Sequence, residues 1–332
     1  MSDIEEIGDG IVRAGLARPE AWPESVSAPK NVYIVDGDHP ALINAGHPAQ
    51  FEELVDVLAA VGLDPSDVSR VVSTSWAIDV AGGAIHLPEA QHFLASPDMR
   101  QPRAYREQIE RPRDELRELG KRVREQKTVP EGAERQLEAF IDDYYPEVPS
   151  ELDFIPIRGG HEVRASRLTL EVLESPGPSP GHVCLYESEG ARLFSGDVAT
   201  SGLPETLDDV RSYVVSLERL VDVEADQLLP NRGAARHRPT WTLQCSLRFV
   251  DNYVSNAPAA LFEEPTLLEF AKRDMGYWPD DFAEAVLQLR QYRLLMDELV
   301  RAGMIDAEGE GFERRYGTDV DDPREPLRRA GD

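Results

Sequence analysis

The sequence predicts a chain of mixed α and β structure, in which short apolar strands and amphipathic helices share a layered core and a helical tail follows. Three observations carry that reading. The stretch Arg70 to Ser73 is a short apolar strand that ends on the small, polar Thr74 and Ser75 and then turns through Gly82-Gly83. From Ala41 to Ser73 the order is strand, helix, strand, as a layer of helices on a sheet requires. Further apolar runs recur at 154–157, 167–173, 183–186 and 191–194, separated by Gly and Pro punctuation.

In chain order, Asn31 to Asp38 alternates and then turns, and Pro40 to Gly46 forms a second apolar run, so the pair predicts two adjacent strands across an Asp-Gly turn. Phe51, Leu54, Val55, Val57, Leu58 and Val61 recur at helical spacing and stop at Gly62. Residues 102–126 are dominated by Arg and Glu. Tyr105, Ile109, Leu116, Leu119 and Val123 form only a thin apolar stripe there, which predicts a charged surface helix continued by 132–145. Phe154 to Ile157 and Arg167 to Leu173 read as strands joined at Gly159-Gly160. Val183 to Tyr186 and Ala191 to Phe194 read as a hairpin, followed by a helix over 207–220. A closing helix is expected over 241–255, a linker at Asn256-Ala257-Pro258, three short helices at 266–273, 279–289 and 294–302, and a small wing over 303–316.

Composition narrows the partners. The 332 residues carry a formal charge of -27, which repels polyphosphate backbones and anionic membranes, so nucleic acid is a poor default partner. No apolar run is long enough to span a bilayer, and the acidic residues of the first ten carry the wrong charge for a secretory n-region, so a cytoplasmic location is expected by default. Cys184 and Cys245 lack metal-ligand spacing and read as reduced thiols. Only four lysines occur, and acid-rich, lysine-poor usage fits either a salt-adapted source or a GC-rich genome.

Five segments, in order, resemble the motifs of the metallo-β-lactamase superfamily, in its lactamase-beta-2-like and glyoxalase II-like branch. Asn31 to Gly46 is similar to the family's opening strands, with Asn44 where an aspartate stands. Thr74 to Gly83 resembles T-H-x-H-x-D-H-x-G-G, with Thr74, Asp79, Gly82 and Gly83 on the fixed letters but Ser75, Ala77 and Val80 on the histidines. Ser175 to His182 resembles T-P-G-H-T-P-G-H, with Pro178 at the ligand histidine and His182 at the second one. Ser195-Gly196-Asp197 resembles the F-S-G-D motif, and Leu229-Pro230-Asn231-Arg232-Gly233 resembles L-P-G-H-G with Arg232 at the last histidine.

The resemblance implies an α+β fold, a four-layer αβ/βα sandwich at 1–257 with a helical insertion at about 100–147, and a winged-helix-like C-terminal domain at 258–332. It also implies zinc or another divalent metal in active relatives, where such an ion lowers the pKa of bound water to about 7. A catalytic zinc generally needs three protein ligands, and here only Asp79 and Asp197 remain. No cofactor is therefore expected. The fixed charge of Arg232 is expected to pair with Asp79, Asp197 or both, with His182 and Asn231 beside them as pocket residues.

Two other arrangements are open to the sequence. A metal site rebuilt from His47, His86 or His182 with the aspartates is one, and Ser75 activated by His182 is the other, although no G-x-S-x-G elbow surrounds Ser75. Two functions follow from different premises. One is a metal-free pseudoenzyme that binds a small molecule or a protein partner and dimerises through its tail. The other is a divergent hydrolase of thioesters, esters, lactones or phosphodiesters.

Overall fold

A computed structural model describes residues 3–20, 22–23, 26, 30–99, 102–146, 152–199, 204, 206–261 and 263–317, with 102–110, 254 and 257–260 described in backbone only. The first sheet contains β1 (Asp3–Gly8), β2 (Ile11–Leu16), β3 (Lys30–Val35), β4 (Ala41–Ile43), β5 (Arg70–Val72), β6 (Gln91–Ala95) and β7 (Phe154–Ile157), side by side in sequence order. Its first four strands pair antiparallel and the rest parallel. The parallel steps need crossovers, and α1 (Phe51–Ala60) supplies the one between β4 and β5. The turn after β5 leads into the single-turn α2 (Ile78–Ala81), and α3 (Ser96–Met99) follows β6.

An insertion then contributes α4 (Pro102–Gln126) and α5 (Ala133–Tyr144) before β7. The second sheet runs β12 (Gln227–Pro230), β11 (Arg192–Gly196), β10 (Val183–Glu187), β9 (Leu168–Glu174), β8 (Glu162–Ala165), antiparallel except where β11 and β12 are joined through α6 (Val210–Val221). Helices α7 (Pro239–Ala260), α8 (Leu267–Met275) and α9 (Phe282–Arg301) follow, then the two-stranded ribbon β13 (Asp306–Glu308) and β14 (Arg315–Gly317).

Strand alternation explains the layering. In β3, Tyr33 and Val35 face Leu170, Val172, Leu185 and Phe194 of the other sheet, while Val32 and Ile34 face Leu54, Val57 and Leu58 of α1. In β10, Val183 and Leu185 point inward, and Cys184 points outward to the helical layer of the second sheet. The result is the expected α+β sandwich, helix, sheet, sheet, helix. Half of the pairings in the larger sheet are parallel.

Several elements differ from the sequence reading. The hairpin of β1 and β2 has no counterpart in it, although Asp9-Gly10 between the strands is a hairpin turn signal and both residues take positive φ. The segment after Gly159-Gly160 holds two strands, because Ser166 at φ 53° makes a second tight turn between β8 and β9. The expected linker at Asn256-Ala257-Pro258 is helical backbone in the last turns of α7, where the flanking alanines favour the helix and proline removes a single amide donor.

The helices expected at 279–289 and 294–302 are one continuous α9, since Gln291 to Arg293 between them carry no breaker. The wing strands fall later than expected, at 306–308 and 315–317. The insertion is more than a charged surface helix. Leu116, Leu119 and Val123 are fully buried with Leu137, Phe282, Val286 and Leu289, in one core shared by α4 through α9, and Glu115 of α4 bonds Arg290 at 3.1 Å. The side chains of Tyr105 and Ile109 lie outside the described residues.

This shared core makes insertion and tail mechanically one body. Leu119→Ala in α4 and Leu289→Ala in α9 should each cost about 2–5 kcal/mol. Both should lower the same single transition in urea unfolding followed by circular dichroism. Separate transitions for the two variants would show instead that the tail folds on its own.

Candidate functional site

The site lies where the C-terminal ends of β5, β11 and β12 meet the start of β3, the usual position for chemistry beside a sheet edge. Asp79 sits in the single turn of α2, held there by a close approach of that segment to the chain after β4. A Cβ on Gly83 would overlap the Ala45 carbonyl oxygen, and Gly83 N–H donates to Gly46 O at 2.8 Å. Asp197 follows Gly196, whose φ of 54° and contact with the His182 ring tolerate no side chain.

Between the two carboxylates lies an ammonium group. Lys30 Nζ is 2.8 Å from Asp79 Oδ2 and 3.3 Å from Asp197 Oδ1, and all three side chains are about nine-tenths buried. Arg232 reaches Asp79 Oδ2 at a longer 3.6 Å. The expected pairing of Arg232 with Asp79 is therefore present, but the closer and bridging cation is Lys30. Burial alone would raise the Asp197 carboxyl, and the charges of Lys30 and then Arg232 outweigh it and hold the group at about 2.

A chain of side-chain amides orients this centre. Asn44, at φ 62°, accepts from Thr74 N–H at 2.9 Å and from Thr74 Oγ1 at 3.1 Å, and its Nδ2 donates to Asn231 Oδ1 at 2.9 Å. Asn231 Nδ2 in turn donates to Asp197 Oδ1 at 3.0 Å. Asn31 holds the β12 end by donating to the carbonyls of Pro230 and Gly233, and Tyr33 also donates to Pro230 O at 2.7 Å.

His182 lies behind Asp197 and is wholly buried. Its Nε2 accepts from Asp197 N–H at 3.0 Å, so Nδ1 carries the proton and faces the Ser175 carbonyl and hydroxyl. Burial pushes the imidazole down to about 4, against the pull of Asp197. Ser175 Oγ also meets Cys184 Sγ at 3.2 Å, placing residues 182 and 184 on one face, and burial raises that thiol to about 12. The arrangement is a neutral, inert bracket.

The other predicted positions do not join the centre as ligands. Ser75 is buried, its hydroxyl has no partner among the described residues, and the His182 nitrogens are committed elsewhere, so no Ser75–His182 pair forms. Ala77 precedes α2, Val80 is buried with its carbonyl bonded to Ala45 N–H, and Pro178 is buried in the loop after β9. His47 Nε2 is 2.8 Å from Tyr144 O and its Nδ1 caps Ala49 N–H, while His86 stacks on Phe51.

Among the described residues no three His, Cys, Asp or Glu side chains gather in a way that could hold a metal ion. The donor set does not fit the divalent ion that the sequence resemblance implies. Two carboxylates remain, and a protonated amine lies between them.

Sequence reasoning missed Lys30 and Asp98. Lys30 is one of four lysines and immediately precedes an apolar strand, the one signal available. Asp98 has no local signal, because its partners are remote: it accepts from Trp76 N–H at 3.2 Å, Ser179 Oγ at 2.9 Å and Gly181 N–H at 2.6 Å, tying the loops after β5 and β9 together. Burial pushes its carboxyl up to about 6 against those donors.

Two outcomes test the geometry. Lys30→Met should destabilise the fold by about 3–5 kcal/mol in urea unfolding at pH 7, since it strands two buried carboxylates. His182 has a folded pKa below its unfolded value, so its contribution is present above about 6.5 and is lost as pH falls toward about 4. The stability of the wild type relative to His182→Gln should therefore shrink by about 2–3 kcal/mol between pH 7 and pH 4. A constant difference across that range would contradict the neutral, buried imidazole.

Comparison with known proteins agrees with the fold. The model of the metallo-beta-lactamase superfamily matches residues 28–231. A Caenorhabditis elegans beta-lactamase-like protein 2 homolog is 20% identical over 92% of this chain and 89% of its own length. The acyl-coenzyme A thioesterase MBLAC2 of Gallus gallus is 36% identical over 26% of this chain, a match spanning 32% of that protein, and the Drosophila melanogaster beta-lactamase-like protein 2 homolog is likewise matched over 33% of its length.

The crystal structure of a metallo-beta-lactamase family protein from Thermus thermophilus superposes with a TM-score of 0.67 at 20% identity, over 94% of this chain and all of that one. With the family model covering well over half of the sequence and the layered fold in place, the chain belongs to the metallo-beta-lactamase superfamily.

Proposed function

We propose that this chain is a metal-independent, non-hydrolytic member of its superfamily that uses the cleft to bind a small molecule or a partner. The observation that carries the reading is Lys30 Nζ within 3.3 Å of both retained aspartates. An ammonium there neutralises the charge that a metal would neutralise, but it has no open coordination position, polarises no bound water and generates no hydroxide. The loss of nitrogen donors at Ser75, Ala77, Val80, Pro178 and Arg232 supports the same conclusion. The two helices and ribbon of the tail, winged-helix-like in their order, are proposed as a docking element, with a second copy of the chain as its partner.

A hydrolase reading draws on one observation, the similarity to the chicken acyl-coenzyme A thioesterase, and would take a thioester as substrate. It requires a nucleophile made without metal, and among the described residues the Ser75 hydroxyl has no hydrogen-bond partner that could serve as its base.

The two readings separate in one assay. Purified protein supplied with zinc, manganese or iron should hydrolyse acyl-coenzyme A no faster than buffer. Turnover that requires added metal and disappears in Asp197→Ala would overturn the proposal.

A further inference from the structure

The chain carries 62 acidic residues, yet none falls between Asp226 and Asp251, the longest acid-free run in the sequence. That run holds Arg232, Arg236, His237, Arg238 and Arg248. It leads directly out of the centre just described. Arg232 reaches Asp79, Arg236 folds back in a bridge to Leu228 on the outer edge of β12, and α7 begins at Pro239.

His237, Arg238 and Arg248 are exposed, and among the described residues neither Arg238 nor Arg248 has an ion-pair partner. On α7, Trp241 and Arg248 are seven residues apart, two helical turns, and so share a face. Trp241 is 60% exposed, and Phe249 beside Arg248 is 42% exposed. A basic strip with an open indole is thus set into the surface of a strongly acidic protein.

Distance decides which charge an approaching anion feels. The Debye length is about 8 Å at physiological ionic strength, so carboxylates farther from the strip than that are largely screened while its arginines are not. Guanidinium groups bind phosphate through paired, charge-assisted hydrogen bonds. An exposed indole supplies the complementary surface for a planar base, and stacking of this kind contributes about 1–3 kcal/mol per base.

We propose that the strip from Arg236 to Arg248, centred on Arg238 and Trp241, binds a small phosphorylated ligand bearing an aromatic base, that is, a nucleotide. The same chemistry has two sources, a free nucleotide and the nucleotide end of a coenzyme A derivative. The inference deepens the reading of the cleft as a ligand site and rests on it only for the absence of turnover, because none of the residues that would hold the nucleotide belongs to the Lys30 centre.

The test is a titration of the full chain with ADP, coenzyme A, adenosine and inorganic phosphate, read by tryptophan fluorescence and by calorimetry. ADP should quench saturably and bind at least about tenfold more tightly than adenosine or phosphate alone, the loss expected when one charged or one stacked half is missing. Arg238→Ala should weaken ADP by about five- to tenfold, and Trp241→Phe should remove most of the quench, with melting temperatures unchanged because both side chains are exposed.

Equal affinity for ADP and coenzyme A assigns the site to a free nucleotide, and tighter coenzyme A assigns it to the nucleotide end of that larger ligand. No saturable binding of either at millimolar concentration, or binding unaltered in both variants, overturns the proposal. Metal-dependent turnover abolished by Asp197→Ala, with nucleotide binding intact, would overturn the pseudoenzyme reading alone.

Discussion

The contact on which this structure depends is the buried ion pair of one lysine with two aspartates. Asp79 and Asp197 come from different sheets, and like charges enclosed together repel strongly in a medium of low polarity. Something positive has to lie between them. Here the chain itself provides it, from the first residue of β3, and Arg232 adds a second, longer contact from the end of β12. The cation thereby fastens strand ends of both sheets at the point where their loops converge.

That choice shapes the neighbouring polar groups. A metal ion would be oriented by several imidazoles, but an ammonium with three donors is oriented by whatever fixes the carboxylates. The amide relay from Thr74 through Asn44 and Asn231 to Asp197 does this with neutral groups, and so adds no further charge to a buried site. His182, kept neutral by burial, supports the Asp197 backbone from behind. Asp98 clasps the loops after β5 and β9 together. The polar groups of the site are thus tied to one another and to both sheets through a continuous set of hydrogen bonds.

How much of this is legible in the sequence depends on the range of the signal. Local periodicity identifies α1, the β3–β4 pair and the β10–β11 hairpin, because each buries a face at fixed spacing. Motif order places Asp79, Asp197, Asn231 and Arg232 at one cleft, where Arg232 meets Asp79 and Asn231 meets Asp197. Lys30 is invisible, since its role depends on β3 starting beside β12, a contact made across some 200 residues of chain that periodicity cannot report. The burial of α4 is hidden for a related reason. Its charged composition describes the exposed side, while its thin stripe of Leu116, Leu119 and Val123 is completed by α9 from the tail.

The most direct measurement is a calorimetric titration of zinc into the purified wild-type chain and into Asp197→Asn. No saturable binding that the substitution alters is expected, because Lys30 already occupies the space between the carboxylates. A stoichiometric site of micromolar or tighter affinity, abolished in Asp197→Asn, would show instead that the lysine yields to a metal.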